Sequence, residues 1–211
     1  MLKLISALPS PYARKVRIAL FEKGIPFTLI TETPWESTTQ TPRHNPLEKL
    51  PILLTEQGEA LYESRFILEW LETYYPDPPL LAAEAAPRLR AKQVEVVADG
   101  ICDALVLLFW ESQRDPDKQS LPWMERQMRK VDGGVRALAG WVGETEFIVG
   151  DRFGLADIAA GTVCRYLDLR FPDYPWRATH PALAEFSNRM ERRPSFRASL
   201  PMPQSFNEPV V

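Results

Sequence analysis

Three short stretches of this chain carry residue types that could do chemistry at their spacing. In "ALPSPYARKVR", Ser10 stands directly before Pro11 where a helical pattern opens, the arrangement of a serine N-cap with proline at the first helical position. The same hydroxyl could donate a hydrogen bond to a thiolate, which would also feel the positive end of the helix dipole. Lowering a thiol's pKa by about two takes only ~2.7 kcal/mol, within reach of one charge-assisted hydrogen bond plus a dipole. Capping and thiol stabilisation both stay open at this residue. A role as nucleophile has no support: no GxSxG elbow surrounds Ser10, and the only histidines, His44 and His180, lie in an irregular segment and before a late helix.

In "NPLEKLP", Pro51 immediately precedes a β-rich run, and a residue that cannot donate to a sheet ladder belongs at a strand's start or edge. A cis Leu50-Pro51 bond would turn the backbone of Leu50 outward, its N–H and carbonyl available to an extended peptide. In "LYESRF", Ser64 can cap the helix that follows, whose N-terminal N–H groups suit a carboxylate, while Glu63 sets a negative charge beside it for an ammonium group. The pair could hold the zwitterionic end of an α-amino acid; an ordinary cap beside a solvated acid is the alternative. Further along, "ADGICDALVLLFWES" places Asp103, Leu107 and Trp110 near one helix face, as the lining of a second, apolar substrate site or as helix core.

The chain contains no HExxH, GxGxxG or P-loop, so no metal and no nucleotide cofactor is expected. Cys102 and Cys164 are far apart with no CxxC spacing and are expected to be small buried hydrophobes. A formal net charge of −3 offers no basic surface for nucleic acid. The first residues lack a signal-peptide pattern and no apolar run is long enough to cross a bilayer, so the expectation is a cytoplasmic chain without a membrane partner.

The elements that must position these residues follow from periodicity. "LKLIS" alternates as a strand, Ala13, Val16 and Leu20 recur at helical spacing up to Lys23-Gly24, and "FTLIT" reads as a second strand parallel to the first. Residues 33–47 are polar and proline-rich, a loop or at most a short helix. "PILLTEQGEALYES" shows two apolar runs around Gln57-Gly58, an antiparallel hairpin. From Ser64, Ile67, Trp70, Leu71 and Tyr74 form an apolar helical stripe, broken by Pro76, Pro78 and Pro79. The order βαβ then ββα predicts an α/β domain over residues 1–76. Residues 86–211 read as an all-helical domain, with helices over 87–111 and 121–142, in "GLADIAAGTVCRYLDL" and in "PALAEFSNRMERR". The tail "LPMPQSFNEPVV" has no period and is expected on the surface or disordered.

In order and spacing, "SPYARKVRIALFEKGIPF", "NPLEKLPIL", "LYESRFILEWLE" and "FIVGDRFGLADI" resemble the glutathione S-transferase superfamily across nearly the whole chain. The resemblance implies a thioredoxin-like N-terminal domain, an all-helical C-terminal domain, a homodimer, and an active site in the cleft between the domains. It implies that Ser10 matches the thiolate-stabilising position of serine-type, bacterial members, that Pro51 is the cis-proline, and that Glu63 and Ser64 grip the γ-glutamyl end of glutathione. Lys49 and Leu50 would meet the peptide backbone and the glycine carboxylate. Where such proteins have Ser or Thr at the start of the late helix, this chain has Gly154, three residues before Asp157, so Asp157 reads as structural. Serine rather than cysteine at position 10 favours conjugation or isomerisation of an apolar electrophile over thiol–disulfide chemistry. The competing expectation is a non-catalytic binding protein resembling the stringent starvation protein family.

Overall fold

The computed structural model describes residues 1–143 and 145–205. The described residues form two compact units, one made of Met1–Leu80 with residues 194–205, the other of Leu81–Arg193.

The first unit contains β1 (Leu2–Ser6), α1 (Pro11–Glu22), β2 (Phe27–Thr31), β3 (Ile52–Leu54), β4 (Ala60–Tyr62) and α2 (Ser64–Tyr74). The strands form one sheet in the order β2-β1-β3-β4, with β1 and β2 parallel and the other two pairs antiparallel. This is a thioredoxin-like arrangement: a parallel βαβ unit followed by a hairpin and a helix. Gly24, at φ +63, ends α1, and Gly58, at φ +85, turns the hairpin, both in the left-handed region that glycine enters at least cost. Leu4, Val16, Leu20, Ile52, Leu53, Ile67 and Leu71 fill the core. The helical stripe expected on α2 is only half internal: Ile67 and Leu71 are buried, but Tyr74 is exposed and stacks on half-buried Trp70 at 4.8 Å.

The second unit contains α3 (Ala85–Ser112), α4 (Leu121–Val142), α5 (Leu155–Arg170), α6 (Trp176–Thr179) and α7 (Pro181–Glu191). Packing of α4 on α3 depends on Gly134, where an added Cβ would lie 2.4 Å from the Ile101 side chain. Cys102 and Cys164 are buried thiols not joined in a disulfide, and burial pushes the Cys164 thiol well above its ordinary range. Among the described residues no helix is long and apolar enough to cross a membrane.

Asp157 sits in the first turn of α5, fully enclosed, and accepts from the Ile148 N–H and the Gly154 N–H at 2.9 Å each. It supplies one half of a capping box, and Gly154, having no side chain, returns only its carbonyl, which accepts the Asp157 N–H at 3.1 Å. Burial pushes the carboxyl up to about 6, against the backbone donors that favour its charge. The folded state therefore holds this proton more tightly than the unfolded chain between about pH 4 and pH 6. The contribution is complete below about pH 4 and is lost as pH rises through 6. Urea titrations across this range should show a component of stability that falls with pH in the native chain and is absent from Asp157→Ala.

One segment departs from the expected partition. Residues 194–205, assigned by sequence to the helical domain, begin with α8 (Pro194–Arg197) and pack on the first unit, with Phe196 and Ser199 wholly buried. They run back along α1. Ser195 donates to the Glu22 carboxylate, Arg17 Nη2 donates to the Ala198 carbonyl at 2.9 Å, and Arg14 donates from Nε to the Ser199 carbonyl and from Nη2 to that of Phe196 at 3.1 and 3.2 Å. The Arg14 guanidinium also lies 5.2 Å from the Phe196 ring centroid. Guanidinium groups holding the carbonyls of Phe196, Ala198 and Ser199 fasten this aperiodic stretch to α1.

Candidate active site

Strand register brings the three sequence motifs to one end of the sheet. Ile5 pairs with Ile52 and Ile52 with Tyr62, so the segment leaving β1, the residue entering β3 and the residue leaving β4 lie at the same edge. These are the Ala7–Ser10 loop, Pro51, and Glu63 with Ser64. The parallel pairing of Ser6 with Thr31 brings Glu32 and Thr33, just past β2, to that edge as well.

Ser10 is the N-cap of α1, in extended conformation at φ −63 and ψ 118, and its Oγ accepts from the Ala13 N–H at 3.2 Å. The Ala7 carbonyl accepts the Ser10 N–H at 3.2 Å, closing a turn ahead of the helix. A hydroxyl has two lone pairs and one proton; the cap uses a lone pair, and among the described residues nothing takes the proton. Capping and donation to an anion are therefore compatible at this residue. The first turn of α1 holds no acid to oppose an anion, and Arg14, Lys15 and Arg17 are buried along the helix just behind. Burial, and after it the neighbouring Arg14 cation, hold Arg17 below its ordinary value. Sequence reading missed these cations because Arg and Lys on a helix are ordinarily solvent-exposed.

The Leu50-Pro51 peptide is cis. Among the described residues neither the N–H nor the carbonyl of Leu50 has a hydrogen-bond partner. Buried Asn45 shapes the loop before it: its amide donates to the Lys49 carbonyl at 2.8 Å, while its Oδ1 accepts the Leu47 N–H at 2.9 Å. This is an Asx turn, and the Asn-Pro pair in "NPLEKLP" was its sequence signal. Lys49 is exposed beside it.

At β4's end the expected cap is corrected. Ser64 is the first helical residue of α2, and Glu63 is the N-cap, its carboxylate accepting the Arg65 N–H at 3.2 Å and the Ser64 hydroxyl at 3.4 Å. A carboxylate oxygen two atoms beyond serine's reach curls back here with Glu63 at φ 72, ψ 120, sparsely populated for a residue with a side chain. Ser64 is buried and Glu63 exposed, so a hydroxyl and a carboxylate face one helix N-terminus.

Asp103, Leu107 and Trp110 belong to the second unit. On α3, Asp103 and Leu107 are exposed and Trp110 is half-buried with its ring edge-on to Phe109 at 5.1 Å. Leu107, 44% exposed, is no part of the helical core, the alternative its spacing had left open. Among the described residues no group of three or more His, Cys, Asp or Glu could hold a metal ion.

A thioredoxin-like unit that assembles a helix-capping serine, a cis-proline and an acid–serine pair at one sheet edge, joined to a unit of helices, is the architecture of a glutathione-binding family. Residues 9–73 match the glutathione S-transferase N-terminal domain and residues 121–189 its C-terminal domain, and the chain belongs to the glutathione S-transferase family. Among solved structures it is similar to a glutathione S-transferase from Methylobacterium radiotolerans in complex with glutathione sulfonate, at 57% identity and TM-score 0.98, covering 100% of this chain and 99% of that one. It is 32% identical to the GST-like protein YibF of Escherichia coli, over 95% of this chain and 98% of that protein. It is also 32% identical to maleylacetoacetate isomerase of Pseudomonas aeruginosa, over 74% and 77% respectively.

Proposed function

We propose that this protein is a glutathione transferase that uses Ser10 to hold the glutathione sulfur as a thiolate. The observation that carries the reading is the hydroxyl at the start of α1, occupied as an acceptor by Ala13 and still able to donate. Glutathione lies extended along Leu50 and Pro51, its cysteinyl backbone pairing with the N–H and carbonyl of Leu50. The γ-glutamyl ammonium meets the Glu63 carboxylate, and its α-carboxylate takes the Ser64 hydroxyl and the N–H groups opening α2. Lys49 faces the glycine carboxylate. The thiolate then attacks an electrophilic carbon of an apolar second substrate. A carbon–sulfur bond forms as a leaving group departs with its electron pair, or as a double bond opens and the carbon takes a proton. Reversal of that addition after rotation would isomerise the substrate and return glutathione, chemistry that the similarity to maleylacetoacetate isomerase supports.

The test is binding to immobilised glutathione, then calorimetry. The native chain should be retained, and Glu63→Ala should lose affinity about 10- to 100-fold, the loss of one charge-assisted contact. A native chain that passes through the resin, or a variant that binds as well as its parent, contradicts the assignment.

A further inference from the structure

We infer that Gln204, on the returning C-terminal segment, is a positioning residue for the Ser10 loop; the inference rests on the reading of Ser10 as the thiolate's hydrogen-bond donor. Leu8 lies inside the turn that ends at Ser10, and neither of its backbone groups is satisfied by the sheet or the helix. Both are satisfied by the tail: Gln204 Oε1 accepts the Leu8 N–H at 3.0 Å, and the Met202 N–H donates to the Leu8 carbonyl at 3.3 Å. The other end of the same amide donates from Nε2 to the Glu32 carbonyl at 3.2 Å and to the Thr33 hydroxyl at 2.6 Å. One planar group therefore ties the segment leaving β1 to the segment leaving β2.

The side chain suits only this chemistry. Leu8 offers a donor and Glu32 an acceptor, so the bridging group must accept at one atom and donate at its neighbour, which glutamine does and glutamate, lysine or leucine does not. Asparagine is one methylene short. The tail that carries Gln204 is itself anchored to α1 by Arg14 and Arg17, so the loop, the helix and the tail form one closed frame around Ser10. A donor that must meet a sulfur within a few tenths of an ångström depends on such a frame, because a displacement of about 1 Å can cost ~10²-fold in rate.

The experiment measures the acidity of the glutathione thiol bound to the full chain, by thiolate ultraviolet absorbance against pH, together with kcat and KM for an activated chloronitrobenzene. Gln204→Ala and Gln204→Glu should each lower kcat about tenfold, raise the bound thiol's pKa towards its free value, and leave KM for glutathione within about threefold. An unchanged thiol acidity in folded variants, even with reduced thermal stability, would make Gln204 merely structural and overturn the inference. If the native chain itself leaves the thiol at its solution acidity, the Ser10 reading fails first and takes this one with it, a result visible without any variant. Should neither variant fold, hydrogen exchange at the Leu8 amide of the native chain decides: protection supports the frame, and exchange at the rate of an open loop overturns it.

Discussion

Replacing Ser10 with alanine should cut turnover about 10²- to 10³-fold, the range found when a single pre-aimed donor to a developing or resting anion is removed. Glutathione affinity should fall much less, because the tripeptide keeps its proposed contacts with Leu50, Glu63 and Ser64. The substitution also removes the cap on the Ala13 N–H, at about 1 kcal/mol of stability. Ser10→Gly separates the two effects: glycine is a tolerable N-cap, costing a few tenths of a kcal/mol, yet it has no hydroxyl. Equal loss of turnover in the two variants, measured by steady-state kinetics beside urea unfolding, assigns the defect to the missing O–H. Native-like kcat in either one removes Ser10 from the mechanism.

The largest effect on stability should come from Lys23. Its ammonium, wholly buried at the end of α1, pairs with the Glu72 carboxylate at 2.6 Å and donates to the Tyr75 and Pro78 carbonyls at 2.7 and 2.9 Å. Glu72 in turn accepts the Leu80 N–H at 3.1 Å. The ion pair thus fixes the end of α2 and the proline-rich segment where the chain leaves the first unit. Lys23→Met keeps the aliphatic stem but strips the charge, taking the ammonium from the mostly buried Glu72 carboxylate and from the Tyr75 and Pro78 carbonyls, and should cost ~3–5 kcal/mol. Chemical denaturation should show a lowered midpoint with little change in slope. Adding Glu72→Gln should recover part of the loss, since the carboxylate charge that faced the Lys23 ammonium is then gone.

Most of the frame was legible in the sequence. The alternating "LKLIS" and "FTLIT" correspond to β1 and β2 at Leu2–Ser6 and Phe27–Thr31, and the long amphipathic pattern over 121–142 is α4. These elements are dictated by local periodicity, which one chain displays in full. Features that depend on distant partners were not legible. Arg14 and Arg17 look like ordinary surface cations until Phe196 and Ala198 supply carbonyls at sequence separations of 182 and 181. Gln204 lies in an aperiodic stretch and takes its meaning from Leu8, 196 positions earlier. At Glu63 the chemistry was visible but the backbone was not, because nothing in "YESR" marks a residue held at φ 72.

The return of residues 194–205 to the first unit bears on how this protein is made. A ribosome releases α1 early, while the carbonyls that Arg14 and Arg17 will hold are still uncoded into chain. Until the whole intervening block, Leu81–Arg193, has emerged, the first unit is a sheet and two helices with its last brace absent and its cations waiting. The contacts that Met202 and Gln204 make with Leu8, in the loop bearing Ser10, can therefore form only after that block has been synthesised.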